Sequence, residues 1–224
     1  MTADRQLPHA VVFDMDGTLT DSEETWDVIR RGLAGARGVP WPEGATQAMM
    51  GMSTREWSTY LAEAVGLGGT PEEAAKATID AMVEAYRSGD IRILHGATDA
   101  VRRMAELAPL AVASSSPRVL IEAGLELLGV RDLVGVVVST EEVPRGKPAP
   151  DGYLAACALL GVEPAATVAI EDSTNGLASA LAAGMKVIAV PPRFHPPAAG
   201  LLARCHAVLD DLDALSPDLV RGLF

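Results

Sequence analysis

The chain has 224 residues, of which 49% are hydrophobic and 21% charged, and it carries a formal net charge of −12 at pH 7. This composition is typical of a globular protein with a sizeable core, folded as one large domain or as a main domain with an insert. So acidic a surface disfavours nucleic acid and anionic membranes as partners, and no apolar stretch approaches the roughly 18 residues of a membrane span.

Short apolar runs alternate with helical patterns along most of the chain. The runs predict buried strands at residues 9–15, 110–115, 135–140, 167–172 and 186–191. Helices are predicted between the later strands, at residues 98–108, 117–129, 150–161 and 174–183. The runs are continuously apolar, which is typical of parallel strands covered on both faces. The alternation predicts an α/β fold, a Rossmann-like doubly wound parallel sheet.

Residues 20–91 interrupt this alternation, because they contain no convincing strand. They contain three capping-box signatures instead: Asp21-Ser-Glu-Glu24 opening a helix toward Arg37, Ser53-Thr-Arg-Glu56 opening one that stops at Gly66, and Thr70-Pro-Glu-Glu73 opening one that stops near Gly89. We therefore predict an α/β core domain of residues 1–19 and 92–224, and an inserted α-helical domain of residues 20–91. Most of its aromatic residues (Trp26, Trp41, Trp57, Tyr60, Tyr86) are expected in the small core of the insert.

Charged residues follow several predicted strands. In the stretch VVFDMDGTLT, Asp14 and Asp16 follow the first strand, and Glu171 and Asp172 follow the fourth. Lys147 lies in the loop EEVPRGKPAP after the third strand. Ligands bind at the carboxyl ends of the strands in open α/β sheets, so we expect these side chains to converge. A single acid at a strand-to-helix turn is usually a helix N-cap, but acids at two turns with a lysine between them in the sequence favour a shared site.

A group of carboxylates this close requires a cation. Oxygen ligands suit Mg²⁺, which takes one or two carboxylates together with waters and a substrate phosphate. Lys147 would be a point charge opposite the metal, and Ser114, after the second strand, a neutral donor. Ser116 and Pro117 fit the N-cap and first residue of the next helix, whose backbone N–H groups can face an anion.

Four segments occur in the order and contexts of the four motifs of the haloacid dehalogenase (HAD) superfamily. They are DMDGT, the serine closing LAVASS, the lysine of RGKPAPD and the acidic pair of IEDSTNGLASA. The chain resembles this superfamily over essentially the whole predicted core. Its first motif resembles the phosphotransferase branch, and the helical insert resembles the subfamily with an α-helical cap. Within the insert, DSEETW and GMSTREW are similar to segments of sugar-phosphate phosphatases and β-phosphoglucomutase relatives.

The resemblance implies a Mg²⁺-dependent phosphatase of small phosphorylated metabolites. Asp14 would be the nucleophile that forms an aspartyl-phosphate. Asp16 would protonate the leaving oxygen and then deprotonate the hydrolytic water.

The remaining motif residues would bind phosphate and metal. The phosphoryl oxygens would be held by Thr18, Ser114, Ser115 and Lys147. The resemblance places Mg²⁺ on the Asp14 carboxylate, the Asp16 backbone carbonyl and Asp172, with Glu171 helping directly or through water.

Two residues of the insert are candidate substrate contacts. Arg55 lies in the first turn of the helix capped by Ser53, where a guanidinium and a helix N-terminus favour an anion. It either selects a second polar or anionic group on the substrate when the cap closes, or is a surface arginine paired with Glu56 or a neighbour. Trp26 occupies the position, counted from Ser22, where β-phosphoglucomutase-like proteins commonly have a histidine. The missing histidine favours a phosphatase over a mutase.

Alternative functions are a sugar phosphomutase and a receiver-like module that accepts phosphate on aspartate without rapid turnover. Asp16 and the cap argue against the module, and a dehalogenase has no use for Asp16 and Asp172 as a metal site. The N-terminal segment MTADRQLPHA lacks a signal-peptide apolar region, so we expect a cytoplasmic protein, and a monomer because the whole site lies on one chain. The two cysteines, Cys157 and Cys205, are expected to be free thiols. The four histidines (His9, His95, His195 and His206) suggest no metal cluster.

Overall fold

The computed structural model describes residues 7–49, 52–194 and 196–224. It divides into two compact units: a core unit of Met1–Asp21 and Arg92–Phe224, and a helical unit of Ser22–Ile91. Gly51 of the segment GMSTREW, His195 and the first six residues lie outside the described residues.

Eight strands lie in the described part of the core unit. They are β1 (Ala10–Phe13), β2 (Thr20–Asp21), β3 (Arg92–Ile93), β4 (Leu110–Ser114), β5 (Val134–Ser139), β6 (Thr167–Glu171), β7 (Lys186–Ala189) and β8 (Ala207–Val208). Six of them form a parallel sheet in the order β5-β4-β1-β6-β7-β8, and β2 pairs with β3 antiparallel. The predicted α/β class and the five predicted strands are confirmed. The sequence prediction missed β8, which has two residues, and the β2–β3 pair.

Ten α-helices accompany these strands in the described part of the chain. They are α1 (Glu23–Ala36), α2 (Ala45–Met49), α3 (Thr54–Thr59), α4 (Pro71–Ser88), α5 (Ala97–Ala105), α6 (Arg118–Leu127), α7 (Asp151–Leu160), α8 (Thr174–Ala182), α9 (Ala199–Leu202) and α10 (Pro217–Arg221). The four helices predicted between the strands correspond to α5–α8. The short helices α2, α9 and α10 were not predicted.

The two faces of the sheet bury two separate apolar clusters. Val11 and Phe13 of β1 pack with residues of α5 and α6 on one face, and Val12 packs with residues of α7 and α8 on the other. Successive side chains of a strand point to opposite faces, so a strand covered on both sides must be apolar throughout. β1 meets this condition fully, whereas Gly135 on the edge strand β5 is exposed.

The helical unit contains two of the three predicted capping boxes. Ser53 with Glu56 and Thr70 with Glu73 each form both hydrogen bonds of the motif. A π-helical turn, Tyr60–Val65, continues α3 to Gly66, which has a left-handed backbone conformation.

The capping box predicted at Asp21-Ser-Glu-Glu24 is wrong. Helix α1 begins at Glu23 after Ser22, and Asp21 lies in β2. The Asp21 carboxylate accepts a hydrogen bond from Arg92 of the paired strand β3. Asp21, which the local pattern predicts as a helix cap, therefore belongs to a strand because of its long-range pairing with β3.

The aromatic residues of the helical unit form much of its core, as predicted. Trp57 and Tyr86 are buried, and Trp26, Trp41 and Tyr60 pack against the apolar cluster around Trp57. Both cysteines of the chain, Cys157 and Cys205, are free thiols. None of the described helices is both long enough and apolar enough to cross a membrane.

Candidate active site

The predicted site residues lie at the carboxyl edge of three adjacent strands. Asp14 follows β1, Ser114 ends β4, and Glu171 ends β6. The chain runs from β1 outward through β4 and β5 and then returns to β6 on the other side of β1, so the strand order reverses at β1. Such a reversal leaves a crevice in which open α/β sheets bind ligands.

A buried lysine joins two of the acids. Lys147 Nζ lies 2.6 Å from Asp14 Oδ1 and 2.6 Å from Glu171 Oε1, with 6% of its side chain exposed. The loop after β5 thus brings Lys147 to acids of two other strand ends. Although burial disfavours a charged amine, these carboxylates raise the pKa of Lys147 above its ordinary value, so it stays an ammonium.

Glu171 is fixed in place by five hydrogen bonds. Its Oε1 accepts from Lys147 and from the Tyr153 hydroxyl at 3.0 Å. Its Oε2 accepts from the backbone N–H of Asp172 at 2.9 Å, and from the backbone N–H and hydroxyl of Ser173 at 3.0 and 3.1 Å. The residue is fully buried. A buried charge with this many donors has a single orientation, because any other leaves polar groups unsatisfied.

Two glycines leave room for the acids. A Cβ atom on Gly176 of α8 would lie 1.7 Å from Glu171 Oε1, and one on Gly17 would lie 2.3 Å from Asp172 Oδ2. Gly17 also has a φ of 92°, a backbone conformation that side chains disfavour. The glycines of DMDGT and STNG are therefore needed at these positions, because a side chain there would collide with Asp172 or Glu171.

Three carboxylates form the negative centre. Asp14, Glu171 and Asp172 each offer an oxygen within 4.8 Å of the others, and all three residues are buried. Burial raises the pKa of Asp14 well above its ordinary value; Lys147 opposes this, and Glu171 and Asp172 add to it. Burial and the charge of Glu171 raise the pKa of Asp172 to about 7. One lysine does not balance three acids, so an oxygen-only donor set with excess negative charge fits a hard cation such as Mg²⁺.

Asp16 has a different environment. It is half-buried, and its carboxylate accepts hydrogen bonds from Thr20 Oγ1 at 3.2 Å and from the hydroxyl of Ser116. Among the described residues, its carboxylate lies outside the group of three acids. The two aspartates of DMD are thus placed differently: Asp14 is buried against Lys147, and Asp16 accepts hydrogen bonds from two hydroxyls.

The hydroxyl residues of the motifs take several positions. Thr18 Oγ1 donates to Asp172 Oδ1 at 3.1 Å, whereas Ser115 is exposed. Ser114 Oγ accepts from the backbone N–H of Ser116 at 3.2 Å. The prediction of Ser116 as a helix N-cap is wrong by one residue, because α6 begins at Arg118 after Pro117 and the Ser116 hydroxyl binds Asp16.

The sequence analysis missed Tyr153. This residue is fully buried in the first turn of α7, and its hydroxyl donates to Glu171. Its ring also lies 5.1 Å from Lys147 Nζ. A buried tyrosine needs a partner for its hydroxyl, so the tyrosine closely following KPAPD could have signalled a contact with the acids.

The two candidate residues of the helical unit are placed as follows. Arg55 is exposed and borders an open pocket of ≈ 500 Å³ that Met52 and Glu63 also line. Among the described residues Arg55 forms no ion pair with Glu56, whose carboxylate accepts from the N–H and hydroxyl of Ser53 at 2.8 and 2.7 Å. The alternative of a charged neighbour fits Glu72, on which the charge of Arg55 acts. Trp26 packs against Trp57, with ring centroids 5.7 Å apart.

Comparisons with known proteins define the class. A family model described as haloacid dehalogenase-like hydrolase matches residues 8–184. The chain therefore belongs to the haloacid dehalogenase-like hydrolases, as the four motifs predict. Together with the named phosphatases among its relatives, this assignment confirms the predicted enzyme class, a phosphoric monoester hydrolase.

Named relatives are similar over most of their length. Hexitol phosphatase B of Escherichia coli is 33% identical over 207 residues, which cover 87% of this chain and 91% of that protein. The structure of CbbY from Rhodobacter sphaeroides in complex with phosphate has a TM-score of 0.79 and 26% identity, covering 94% of this chain and 96% of that one. A candidate β-phosphoglucomutase from Thermotoga maritima has a TM-score of 0.74 and 28% identity, covering 96% and 98%.

Proposed function

We propose that the protein is a Mg²⁺-dependent phosphatase that hydrolyses a small phosphorylated metabolite, such as a sugar phosphate, through an aspartyl-phosphate at Asp14. The observation that carries the proposal is the pairing of Asp14 with Lys147 at 2.6 Å, beside the buried acids Glu171 and Asp172. Two aspartates in different environments supply the nucleophile and the acid that such a reaction needs. Membership in the hydrolase family and similarity to a hexitol phosphatase support the substrate class.

Asp14 attacks the phosphorus atom in this proposal. Lys147 holds Oδ1, so Oδ2 is the oxygen we assign to the attack. The new bond joins Oδ2 to phosphorus as the bond from phosphorus to the alcohol oxygen breaks. Lys147 neutralises Asp14 and the incoming phosphoryl group together, and such charge stabilisation is the largest contribution of most enzymes to phosphoryl transfer.

Asp16 acts as the general acid and then as the general base in this proposal. It gives a proton to the departing alcohol oxygen and then takes one from the water that attacks the phosphorus of the aspartyl-phosphate. This second step releases inorganic phosphate and restores Asp14. The hydroxyls of Thr20 and Ser116 fix the orientation of the Asp16 carboxylate, which is only half-buried.

Mg²⁺ would be held by Asp14, the Asp16 backbone carbonyl and Asp172. When bound, the ion neutralises the negative charge of these acids and of the phosphate. Glu171 is saturated by five hydrogen bonds, which favours an indirect role. We assign it to positioning Lys147 and the backbone of Asp172.

Hydroxyl groups near the strand ends would hold the phosphoryl oxygens. Ser114 accepts a backbone N–H at its oxygen, so its own proton is available for a phosphate. Thr18, Ser115 and Lys147 complete the proposed phosphate-binding set, and the Thr18 hydroxyl would turn from Asp172 to donate to a phosphoryl oxygen. Ser115 is exposed to solvent and can therefore reach a ligand.

The helical unit would act as a cap that selects the substrate and excludes water. We propose that Arg55 contacts a second polar group of the substrate, since it is exposed and borders a pocket. Trp26 is proposed as a further contact.

A sugar phosphomutase is the second candidate, favoured by the structural similarity to a candidate β-phosphoglucomutase. A mutase must protect its phosphorylated aspartate from water until a sugar phosphate arrives. Trp26 replaces the histidine expected at that position for a mutase-like protein, which favours hydrolysis.

Phosphate release tests the proposal. The panel contains sugar phosphates, hexitol phosphates, phosphoglycolate and nucleotides, each with Mg²⁺ and with EDTA, and Asp14→Asn serves as the blank. We expect Mg²⁺-dependent release from at least one small phosphomonoester and none with the variant. Transfer of phosphate between positions of a sugar without release would identify the mutase. Release that is equal with EDTA would refute the Mg²⁺ dependence, and release that is equal with Asp14→Asn would refute Asp14 as the nucleophile.

A further inference from the structure

The helical unit contains an arginine, Arg30, whose buried Nε donor has no hydrogen-bond partner among the described residues. Arg30 on α1 makes no hydrogen bond and no ion pair within residues 7–49, 52–194 and 196–224, and its Nε atom is buried. Asp27, one turn earlier on α1, accepts hydrogen bonds from Arg31 and Thr46 instead. Buried donors without a partner are costly, so each one requires an explanation.

Two tryptophans hold the Arg30 guanidinium in place. Its central carbon lies 4.7 Å from the ring centroid of Trp26 and 4.9 Å from that of Trp57. Both distances are within the range of a cation–π contact, which fixes the plane of the guanidinium without using its N–H donors. The two rings pack edge to face, with Trp57 in the apolar cluster of the helical unit and Trp26 packed against that cluster.

The guanidinium is a poorly solvated cation. Burial lowers the pKa of Arg30 to about 10, and the group is still charged at neutral pH. The charge of Asp27, one turn away, opposes this effect only in part, and Asp27 makes its hydrogen bonds with Arg31 and Thr46, so an oxyanion that reaches the guanidinium would stabilise it further. Arginine binds carboxylate and phosphate with two parallel hydrogen bonds, a geometry that its planar fork already presents.

We propose that Arg30, held between Trp26 and Trp57, binds a second anionic group of the substrate, a carboxylate or a second phosphate. The inference rests on the proposed function, and it narrows the substrate class to phosphomonoesters that carry another oxyanion. Both arginines lie over tryptophan rings, Arg31 at 5.3 Å from the Trp41 ring centroid, so the unpartnered Nε donor is what distinguishes Arg30 from its neighbour. The latter lies 2.6 Å from Asp27 and 3.1 Å from Thr46 and is already satisfied.

The first test needs no turnover. Tryptophan fluorescence is recorded during titration with sodium sulfate, against sodium chloride at equal ionic strength, for wild type, Arg30→Gln and Arg31→Gln. We expect a saturable, sulfate-specific change in wild type and in Arg31→Gln, because Trp26 and Trp57 touch the anion-binding residue. Arg30→Gln should not respond. No saturable change in wild type, or the same change in Arg30→Gln, would overturn the proposal.

The second test uses substrates that differ by one anionic group. The pairs are fructose 1,6-bisphosphate with fructose 1-phosphate, and 3-phosphoglycerate with glycerol 3-phosphate. We expect Arg30→Gln to lower kcat/KM about 10- to 100-fold for the member with the extra anion, mainly through KM, because hydrogen bonds to charged groups contribute that much. The other member and Arg31→Gln should change little, and Arg30→Lys should recover part of the loss.

The outcomes separate this inference from the phosphatase proposal. An equal loss on both members of each pair, or no loss on either, would show that Arg30 only packs against the rings and would overturn the proposal. Sulfate binding without phosphate release from any compound of the wider panel would refute the phosphatase and, with it, the assignment of the anion to a substrate. Thermal unfolding of each variant shows whether it is folded.

Discussion

Replacing Gly176 by alanine tests how the site is built. In an ordinary helix this change stabilises the protein by about 0.5–1 kcal/mol, because glycine loses more backbone entropy on folding. At Gly176 the new Cβ would lie 1.7 Å from Glu171 Oε1 and 1.9 Å from its carboxyl carbon. Glu171 is fully buried and accepts five hydrogen bonds, so it cannot turn aside without losing some of them.

The magnitude follows from these contacts. Overpacking a tight interior costs about 1–3 kcal/mol, and each hydrogen bond to a charged group contributes about 1.5–3 kcal/mol. With one such bond lost and the usual gain of alanine subtracted, Gly176→Ala should destabilise the core unit by about 1.5–5.5 kcal/mol. Because Glu171 positions Lys147, phosphatase activity should fall as well.

Urea unfolding followed by far-UV circular dichroism measures this effect. All three tryptophans lie in the helical unit, so fluorescence would report on that unit alone. The control is Gly32→Ala on α1, where a Cβ would meet nothing within 4 Å. That variant should be stabilised by about 0.5–1 kcal/mol. If Gly176→Ala matched this control in stability and kept full activity, the crowding at Glu171 would be refuted.

Three further substitutions probe individual acids. Asp16→Asn should lower kcat by about 10²–10⁴-fold, the usual contribution of a general acid, and near-wild-type turnover would remove Asp16 from that role. Tyr153→Phe should reduce the free energy of unfolding by about 1.5–3 kcal/mol, since it removes a hydrogen bond to the buried Glu171, and an unchanged urea midpoint would contradict this. The pKa of Asp172 is about 7 in the folded metal-free protein and about 4 in the unfolded chain. Between about pH 4 and pH 7 the folded state therefore binds a proton that the unfolded state has lost, and the contribution of Asp172 to stability falls as pH rises through this range. The rise in Tm on adding Mg²⁺ should accordingly be larger at pH 8 than at pH 5.5. Asp172→Asn should reduce both pH effects, and Asp14, whose pKa is also raised by burial, should account for the remainder. A Mg²⁺ response independent of pH in the wild type would refute this reading.

The positions of the acids could be predicted because they depend on short segments. Continuously apolar runs located β1 and β6, and parallel strands place their carboxyl ends on one edge of a sheet. Asp14 and Glu171 therefore had to lie near each other once the fold class was known. Lys147 follows from the same argument, because its loop leaves β5 at that edge.

Other features depend on contacts that a local pattern does not contain. The pairing of Asp21 with Arg92 joins residues 71 apart in sequence and overrides a well-formed capping signal. Tyr153 looks like any apolar residue of a buried helix until Glu171 is placed beside its hydroxyl. Arg30 and Trp26 have helical spacing, but the second ring, Trp57, comes from another helix.

The nucleophile is the central claim, and chemical trapping tests it most directly. A substrate found in the phosphate-release panel is mixed with enzyme and Mg²⁺, the single turnover is quenched in acid, and the peptides are analysed by mass spectrometry. We predict a transient phosphate on Asp14 in wild type, a longer-lived one in Asp16→Asn, and none in Asp14→Asn. Turnover without any phosphorylated Asp14, or phosphate attached to Asp16, would contradict the account.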